Sequence, residues 1–299
     1  MANSSKNETT ARRIWTVTYY GMVVNIVLCV VKVAVGSGIA SLSLVADGIH
    51  SLSDLATDVA VLLGSHFGAR KPDQSHPYGH GRIETFTALL VAAVLMAVGG
   101  AMIYRAMLSV AETKSIVPHW GMLGVALLSI LAKEAMYRVT RRVAVASHST
   151  VLYANAWHHR SDALSSVAVV VGYVLLRFGY HYGDQVAAIA VGLMVILVGV
   201  KIVDDSVREL TEGAVDPQTV SDIKAVIDAD EGVHDWHRLR SRTVGREVFL
   251  DVHILVDPSL NVADAHAISE RLERALDEEI ARPVNLTVHI EPDLPQFRK

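Results

Sequence analysis

Only one cysteine occurs among the 299 residues, Cys29, and it lies inside an apolar block. This excludes an intrachain disulfide and a thiolate cluster for holding metal. Basic residues are not in excess: 27 Lys and Arg face 31 Asp and Glu, for a net charge of -4. The electrostatic footprint of a nucleic-acid partner is therefore lacking. The H-E-x-x-H pattern of a zinc protease does not occur, which argues against an intramembrane metalloprotease, and no enzymatic activity is expected. The first residues, MANSSKNETTARR, are polar and lack an apolar stretch with a cleavage site. They read as a tail rather than a cleaved signal peptide, so the first apolar block is expected to be retained.

What is present is long hydrophobic runs. Hydrophobic residues make up 51% of the chain and mean hydropathy is +0.34, but the apolar residues concentrate between Ile14 and Val207. A hydrocarbon core of about 30 Å needs about 20 apolar helical residues. Six blocks meet this length, near 14–36, 41–66, 84–108, 118–137, 151–177 and 184–205. The expected organisation is a tail over 1–13, an all-α six-helix transmembrane domain over 14–207 and a polar domain over 208–299. Positive charge gathers before the first block (Lys6, Arg12, Arg13), around the second loop (Arg70, Lys71, Arg82) and around the fourth (Arg138, Arg141, Arg142). The positive-inside rule then puts both termini in the cytoplasm. Lys32 reads as a snorkelling residue at the outer end of the first block. Lys133 and Glu134 read as an interfacial ion-pair network with Arg138 and Arg142.

Ionisable groups inside a membrane are costly and mark function by default. In the second block Asp47, His50, Asp54 and Asp58 are spaced by three, four and four residues, which puts them on one helical face. In the fifth, Asn155, His158 and Asp162 form a second stripe by the same rule, whereas His159 points about 100° away from His158. His50/Asp54 and His158/Asp162 share chemistry and spacing. At about 1.5 Å per residue both pairs lie about 14–17 Å into their helices, near the bilayer middle. If the helices are neighbours, two imidazoles and two carboxylates converge in a set that suits Zn²⁺ and tolerates Fe²⁺ or Mn²⁺. Metal binding to such ligands exchanges for protons, which predicts proton-coupled antiport. Asp47, Asp58 and Asn155 are candidates for steps along the path, with Asp58 expected to face a cytoplasmic vestibule.

Two further groups of potential ligands lie outside the blocks. The second loop, RKPDQSHPYGHGRIE, carries Asp73, His76 and His80 in a turn-rich segment that lets them gather locally. Beyond Arg208 the pattern reads helix (217–230), two strands (236–243, 247–256), helix (263–280) and strand (285–290), an αββαβ order expected to form a small antiparallel sheet with helices on one face. Histidines recur there at His234, His237, His253, His266 and His289. His289 and Glu291 share a strand face.

The segments LVADGIHSLSDLATD, NAWHHRSDALSS and RKPDQSHPYGHGRIE resemble, in order, the second span, the fifth span and the loop motif of the cation diffusion facilitator family, iron/zinc branch. The resemblance runs from Ile14 to Pro292. It implies six spans followed by a cytoplasmic ferredoxin-like α+β domain, in a homodimer that exports metal in exchange for protons. On this resemblance His50, Asp54, His158 and Asp162 match the transport site, with His50 standing where some relatives have Asp. Asp73, His76 and His80 match a loop zinc site. His237, His253, His266, His289 and Glu291 match a two-metal site at the cytoplasmic dimer interface, with Glu291 where some members have Asp. Arg82 and Glu212 match a charge pair joining the protomers. Zinc is the expected ion, with ferrous iron and manganese as alternatives. The compact size and the lack of a His-rich loop fit a bacterial plasma membrane.

Overall fold

The computed structural model of the chain describes residues 2–38, 42–111, 120–178 and 183–298, with side chains described except over 2–11, 42–53 and 120–122 and at scattered positions elsewhere. Two compact units are present, Met1–Ser206 and Val207–Lys299.

The first unit is helical: α1 (Ala2–Gly38), α2 (Leu42–Gly68), α3 (Arg82–Ala111), α4 (Trp120–Ala146), α5 (Thr150–Arg177) and α6 (Gly183–Leu210), the last running on into the second unit. Two boundaries differ from expectation. The polar start of the chain continues α1 instead of forming a separate tail, and α4 runs past the expected end near 137 to Ala146. Polar residues on a membrane helix still satisfy their backbone internally, so polarity alone does not end a helix.

Hydropathy is distributed inside out. Leu131 and Leu197 are 69% and 68% exposed on the outer surface, in the company of Tyr19, Val30, Leu90 and Met107. Asp58 and Asn155 are fully buried, as are His159 and Lys133 to within 1%. A soluble protein does not present apolar surface on this scale while hiding its ions. A lipid environment calls for this arrangement. Residues 12–35 and 82–108 have mean hydropathies of 1.9 and 2.4 over their most apolar windows.

Small residues bring the helices close. Where α3 meets α6, a Cβ added at Gly99 would lie 2.8 Å from the Gly192 carbonyl oxygen, and one at Gly192 equally near the Gly99 oxygen. Gly199 sits seven residues on, against Met96. Around this seam a small apolar core forms from Val91, Leu95, Leu152 and Val195.

The second unit holds α7 (Pro217–Asp228), β1 (Asp235–Val244), β2 (Glu247–Val256), α8 (Val262–Glu279) and β3 (Val284–Pro292). Asp216 caps α7 by accepting from the Thr219 amide, and Asn261 caps α8 by accepting from the Asp264 amide, as short polar side chains do at helix starts. The αββαβ order is as expected, but the sheet is mixed. β1 and β2 pair antiparallel through a Gly245-Arg246 turn, with Gly245 at φ 60, whereas β2 and β3 pair in parallel. The reason is the connection, because a helix between two strands returns the chain to start the second strand in the same direction. Val248, Leu250, Val252 and Ile254 of β2 pack with Ile223 and Ile227 of α7 and with Ile268, Leu272 and Leu276 of α8. With both helices on this face, residues of opposite parity, among them His253, lie on the open face.

Replacing Gly99 by Leu should lower the thermal stability of the detergent-solubilised protein, at an overpacking cost of about 1–3 kcal/mol. Thermal unfolding followed by circular dichroism measures the shift.

Candidate metal centres

Among the described residues three groups of His, Asp and Glu hold ligand atoms within 4.8 Å of one another: Asp54, His158 and Asp162; Asp73, His76 and His80; and His237, His253 and Glu291. Each draws on the residues that sequence reading singled out, and each adds something that reading did not supply.

The first group lies between α2 and α5. His158 Nε2 is 3.5 Å from Asp54 Oδ1, and both ring nitrogens of His158 are buried without a hydrogen-bond partner. An unpartnered imidazole beside two carboxylates fits a cation, because a buried polar atom left unsatisfied otherwise costs free energy. His50 lies one turn before Asp54 on α2, but its side chain and that of Asp47 are outside the described residues.

Lys133 is the group that the sequence reading misplaced. Instead of pairing at the interface, its ammonium sits between the two carboxylates, 2.8 Å from Asp54 Oδ2 and 2.7 Å from Asp162 Oδ2, with only 1% of the side chain exposed. The longer α4 explains the error, because Lys133 falls at the middle of a helix that ends at Ala146. Glu134 does pair with Arg138, at 2.7 Å, since it points about 100° round the helix from Lys133. Lys32 is buried among its neighbours too, at 3% exposure, and so does not snorkel.

One turn along α2 from Asp54 is a second buried polar cluster. Asp58 accepts hydrogen bonds from Asn25 Nδ2 of α1 at 2.9 Å and from Asn155 Nδ2 of α5 at 3.0 Å. His159 Nε2 stands 3.8 Å from the same carboxylate. Asp58 is therefore enclosed by three helices and does not open to a vestibule. Asn25 was not anticipated, although an Asn within an apolar run was a signal available in the sequence.

In the loop, Asp73, His76 and His80 come together. Asp73 accepts from the Ser75 hydroxyl at 2.7 Å and from the Ser75 and His76 amides at 2.9 and 2.8 Å. His76 and His80 each approach it to 3.5 Å, and their rings lie 4.3 Å apart. Gly79 takes φ 81, a conformation open to glycine that folds His80 back over Asp73. The buried Nδ1 of His80 has no hydrogen-bond partner. The Ser75 hydroxyl, ahead of the His76 amide, holds the Asp73 carboxyl down from 3.8 to about 2.

On the open face of the C-terminal sheet, cross-strand register does the assembling. His237, His253 and His289 occupy one row across β1, β2 and β3, and Glu291 lies one residue pair further along the face. His253 Nδ1 is 2.9 Å from Glu291 Oε1, His237 Nε2 is 3.4 Å from Oε2 and His289 Nε2 is 3.5 Å from Oε1. A hydrogen bond from His253 holds the Glu291 carboxyl below its usual range. Oε2 of Glu291 is buried without a hydrogen-bond partner. This donor set of imidazoles and a carboxylate suits Zn²⁺. His266 is elsewhere, on α8 beside Glu270 at 3.5 Å, and His234 pairs with Asp293 at 3.0 Å. Within one chain Glu212 approaches Arg242 to 3.2 Å. The expected pairing of Arg82 with Glu212 concerns two protomers.

Because the Asp73 value is depressed in the folded loop, the contribution of its anion is fully present above 3.8 and is lost as pH falls through about 2. Ser75→Ala should move the Asp73 titration upward toward 3.8, as followed by carboxyl carbon NMR shifts.

Residues 18–211 match the family model of the cation efflux transmembrane domain, and residues 215–293 match that of the cytoplasmic domain of cation efflux proteins. The chain is 35% identical over 293 residues to Metal tolerance protein C1 of Arabidopsis thaliana, covering 93% of this chain but only 62% of that longer protein. It is 36% identical over 262 residues to an uncharacterized transporter of Methanocaldococcus jannaschii, 85% of this chain and 89% of that one. It is 29% identical over 296 residues to the manganese efflux system protein MneP of Bacillus subtilis, 97% and 98% of the two chains. Among solved structures, the metal-bound C-terminal domain of the CzcD transporter from Thermotoga maritima is 32% identical, covering 25% of this chain and 87% of that one with a TM-score of 0.24. An inside-out helical unit with buried carboxylates, joined to an αββαβ domain, and two family matches that run nearly end to end make this chain a member of the cation diffusion facilitator family of membrane cation-efflux proteins.

Proposed function

We propose that this protein exports a divalent transition metal from the cytoplasm, zinc foremost, in exchange for protons and by alternating access. The observation that carries the proposal is the convergence of Asp54, His158 and Asp162 between α2 and α5, with ligand atoms within 4.8 Å, inside a helical unit whose outer face is apolar. A metal held there for structural reasons alone would not need further buried polar groups beside it, whereas Asp58, Asn155 and His159 extend the polar cluster along α2 and α5. His50 completes the proposed ligand set with a second imidazole, and Asp47 is the proposed step on the outer side.

The ligands bind metal only as neutral imidazole and ionised carboxylate, so protons arriving at the site release it. On this reading the gradient drives metal out by supplying protons from the outer side. The positive charge around Arg70, Lys71, Arg82 and Arg138–Arg142 supports cytoplasmic termini, and a bacterial plasma membrane is the proposed location. The loop group and the C-terminal His237, His253, His289 and Glu291 are proposed resident Zn²⁺ sites that stabilise or regulate a homodimer, with His266 as a further ligand in that dimer and Arg82 and Glu212 as a charge pair between protomers. A dimer is supported by the match to the family's cytoplasmic domain. A non-transporting metal sensor is disfavoured by the depth of the first site.

Manganese is the second reading, because the relative MneP, which spans nearly all of this chain, is named for manganese efflux, and carboxylate oxygens suit Mn²⁺ as well as Zn²⁺. Fe²⁺ by the same route is the third.

In proteoliposomes, Asp54→Ala and Asp162→Ala should each reduce metal flux by more than about tenfold, since a lost charged ligand costs well over the about 1.4 kcal/mol that a factor of ten represents. Equal flux in wild type and both variants would remove these residues from the path. Competition among Zn²⁺, Mn²⁺ and Fe²⁺ in the same assay ranks the substrates. Flux indifferent to an imposed pH gradient would defeat the antiport step.

A further inference from the structure

The two carboxylates of the first site are already bridged by a cation that belongs to the chain. Lys133 Nζ lies 2.8 Å from Asp54 Oδ2 and 2.7 Å from Asp162 Oδ2, and the three side chains are 1%, 3% and 10% exposed. The ammonium comes from α4, a helix that contributes no proposed ligand. It therefore stands where an incoming metal would draw its anionic oxygens. Asp54 Oδ1, the oxygen turned toward His158, is the one that Lys133 does not hold.

Charge makes this arrangement consequential. Asp54 and Asp162 together carry two negative charges, which a divalent metal neutralises. With Lys133 still between them, a bound metal would leave an uncompensated positive charge in a protein interior shielded from water, where an unpaired charge is heavily penalised. Metal and ammonium thus exclude one another from the pair. The lysine stem, a flexible four-carbon chain ending in a compact charge, is suited to swinging aside and returning.

We propose that Lys133 is a tethered competing cation of the transport site: it bridges Asp54 and Asp162 and cancels one of their two charges when no metal is bound, and leaves them when metal enters. Two consequences follow. Competition weakens metal binding to a level from which release is possible. The metal-free site also reorients from one side to the other with one of its two carboxylate charges cancelled, and an uncompensated ion in that setting is costly. Lys133 is in this sense a positioning residue for release and return, not a ligand. The inference rests on the reading of Asp54 and Asp162 as metal ligands.

The test is equilibrium titration of the full-length protein with Zn²⁺ and with Mn²⁺, taking the metal occupancy lost in Asp54→Ala as that of this site. Lys133→Met keeps the stem and removes the charge. It should tighten binding at this site by about tenfold, corresponding to about 1.4 kcal/mol of relieved competition. Lys133→Arg keeps the charge on a planar fork that holds carboxylates more firmly, and should weaken binding. In proteoliposomes Lys133→Met should retain metal-for-metal exchange while net efflux, which requires return of the empty site, falls severalfold. Unchanged or weaker affinity in Lys133→Met, or an Arg variant no weaker than wild type, would overturn the proposal and leave Lys133 as a strut between helices. If Lys133→Met does not fold, the direction of the Arg shift alone decides. Binding that responds as expected in a protein without flux would uphold the competition and sink the transport reading instead. Occupancy unaffected by Asp54→Ala would overturn the inference together with its premise.

Discussion

Two carboxylates cannot both stay ionised while facing each other in the interior of a membrane protein unless a cation stands between them. Much of the first unit can be understood from that constraint. Asp54 and Asp162 approach from α2 and α5, and Lys133 of α4 closes the pair at hydrogen-bond distance. Removing one partner of a buried ion pair typically destabilises a protein by about 3–5 kcal/mol, because the remaining charge is left uncompensated. An arrangement held this way is stable only while some cation is present, and on the reading proposed above a metal ion can take the place of the ammonium. Stability of the helix packing and the proposed binding of metal then have the same electrostatic origin.

The surrounding packing keeps this chemistry dry. Outward residues such as Leu131 and Leu197 are apolar, and glycines at 99, 192 and 199 bring α3 and α6 into close contact. Beyond the first site, Asp58 is tied to Asn25 and Asn155. Such networks satisfy groups that lipid cannot. The Asp58 cluster lies one turn along α2 from the first site.

The C-terminal unit solves a different problem by simpler means. Its helices cover one face of a three-stranded sheet, and strand alternation sends His237, His253, His289 and Glu291 to the other. In the loop, local turn geometry with Gly79 at φ 81 does the same for Asp73, His76 and His80. Both clusters are held by short-range structure.

That difference decides what could be read in advance. The sequence by itself determined the six long helices, the αββαβ order and the stripe positions of Asp54, His158 and Asp162, since these depend on composition and on periods of 3.6 and 2 residues that any one segment carries. It also determined the loop cluster, whose residues are neighbours in the chain. It did not determine the parallel pairing of β3, which depends on how a helix returns the chain. Nor did it place Lys133, Lys32 or Asn25. Each is a polar residue next to apolar ones along its helix, and its own segment looks the same whether the helix turns it toward lipid, headgroups or a partner. Only the packing of α1, α2, α4 and α5 fixed those rotations, because the energy that selects them, the pairing of buried charge and the satisfaction of buried amides, is shared between helices far apart in the chain.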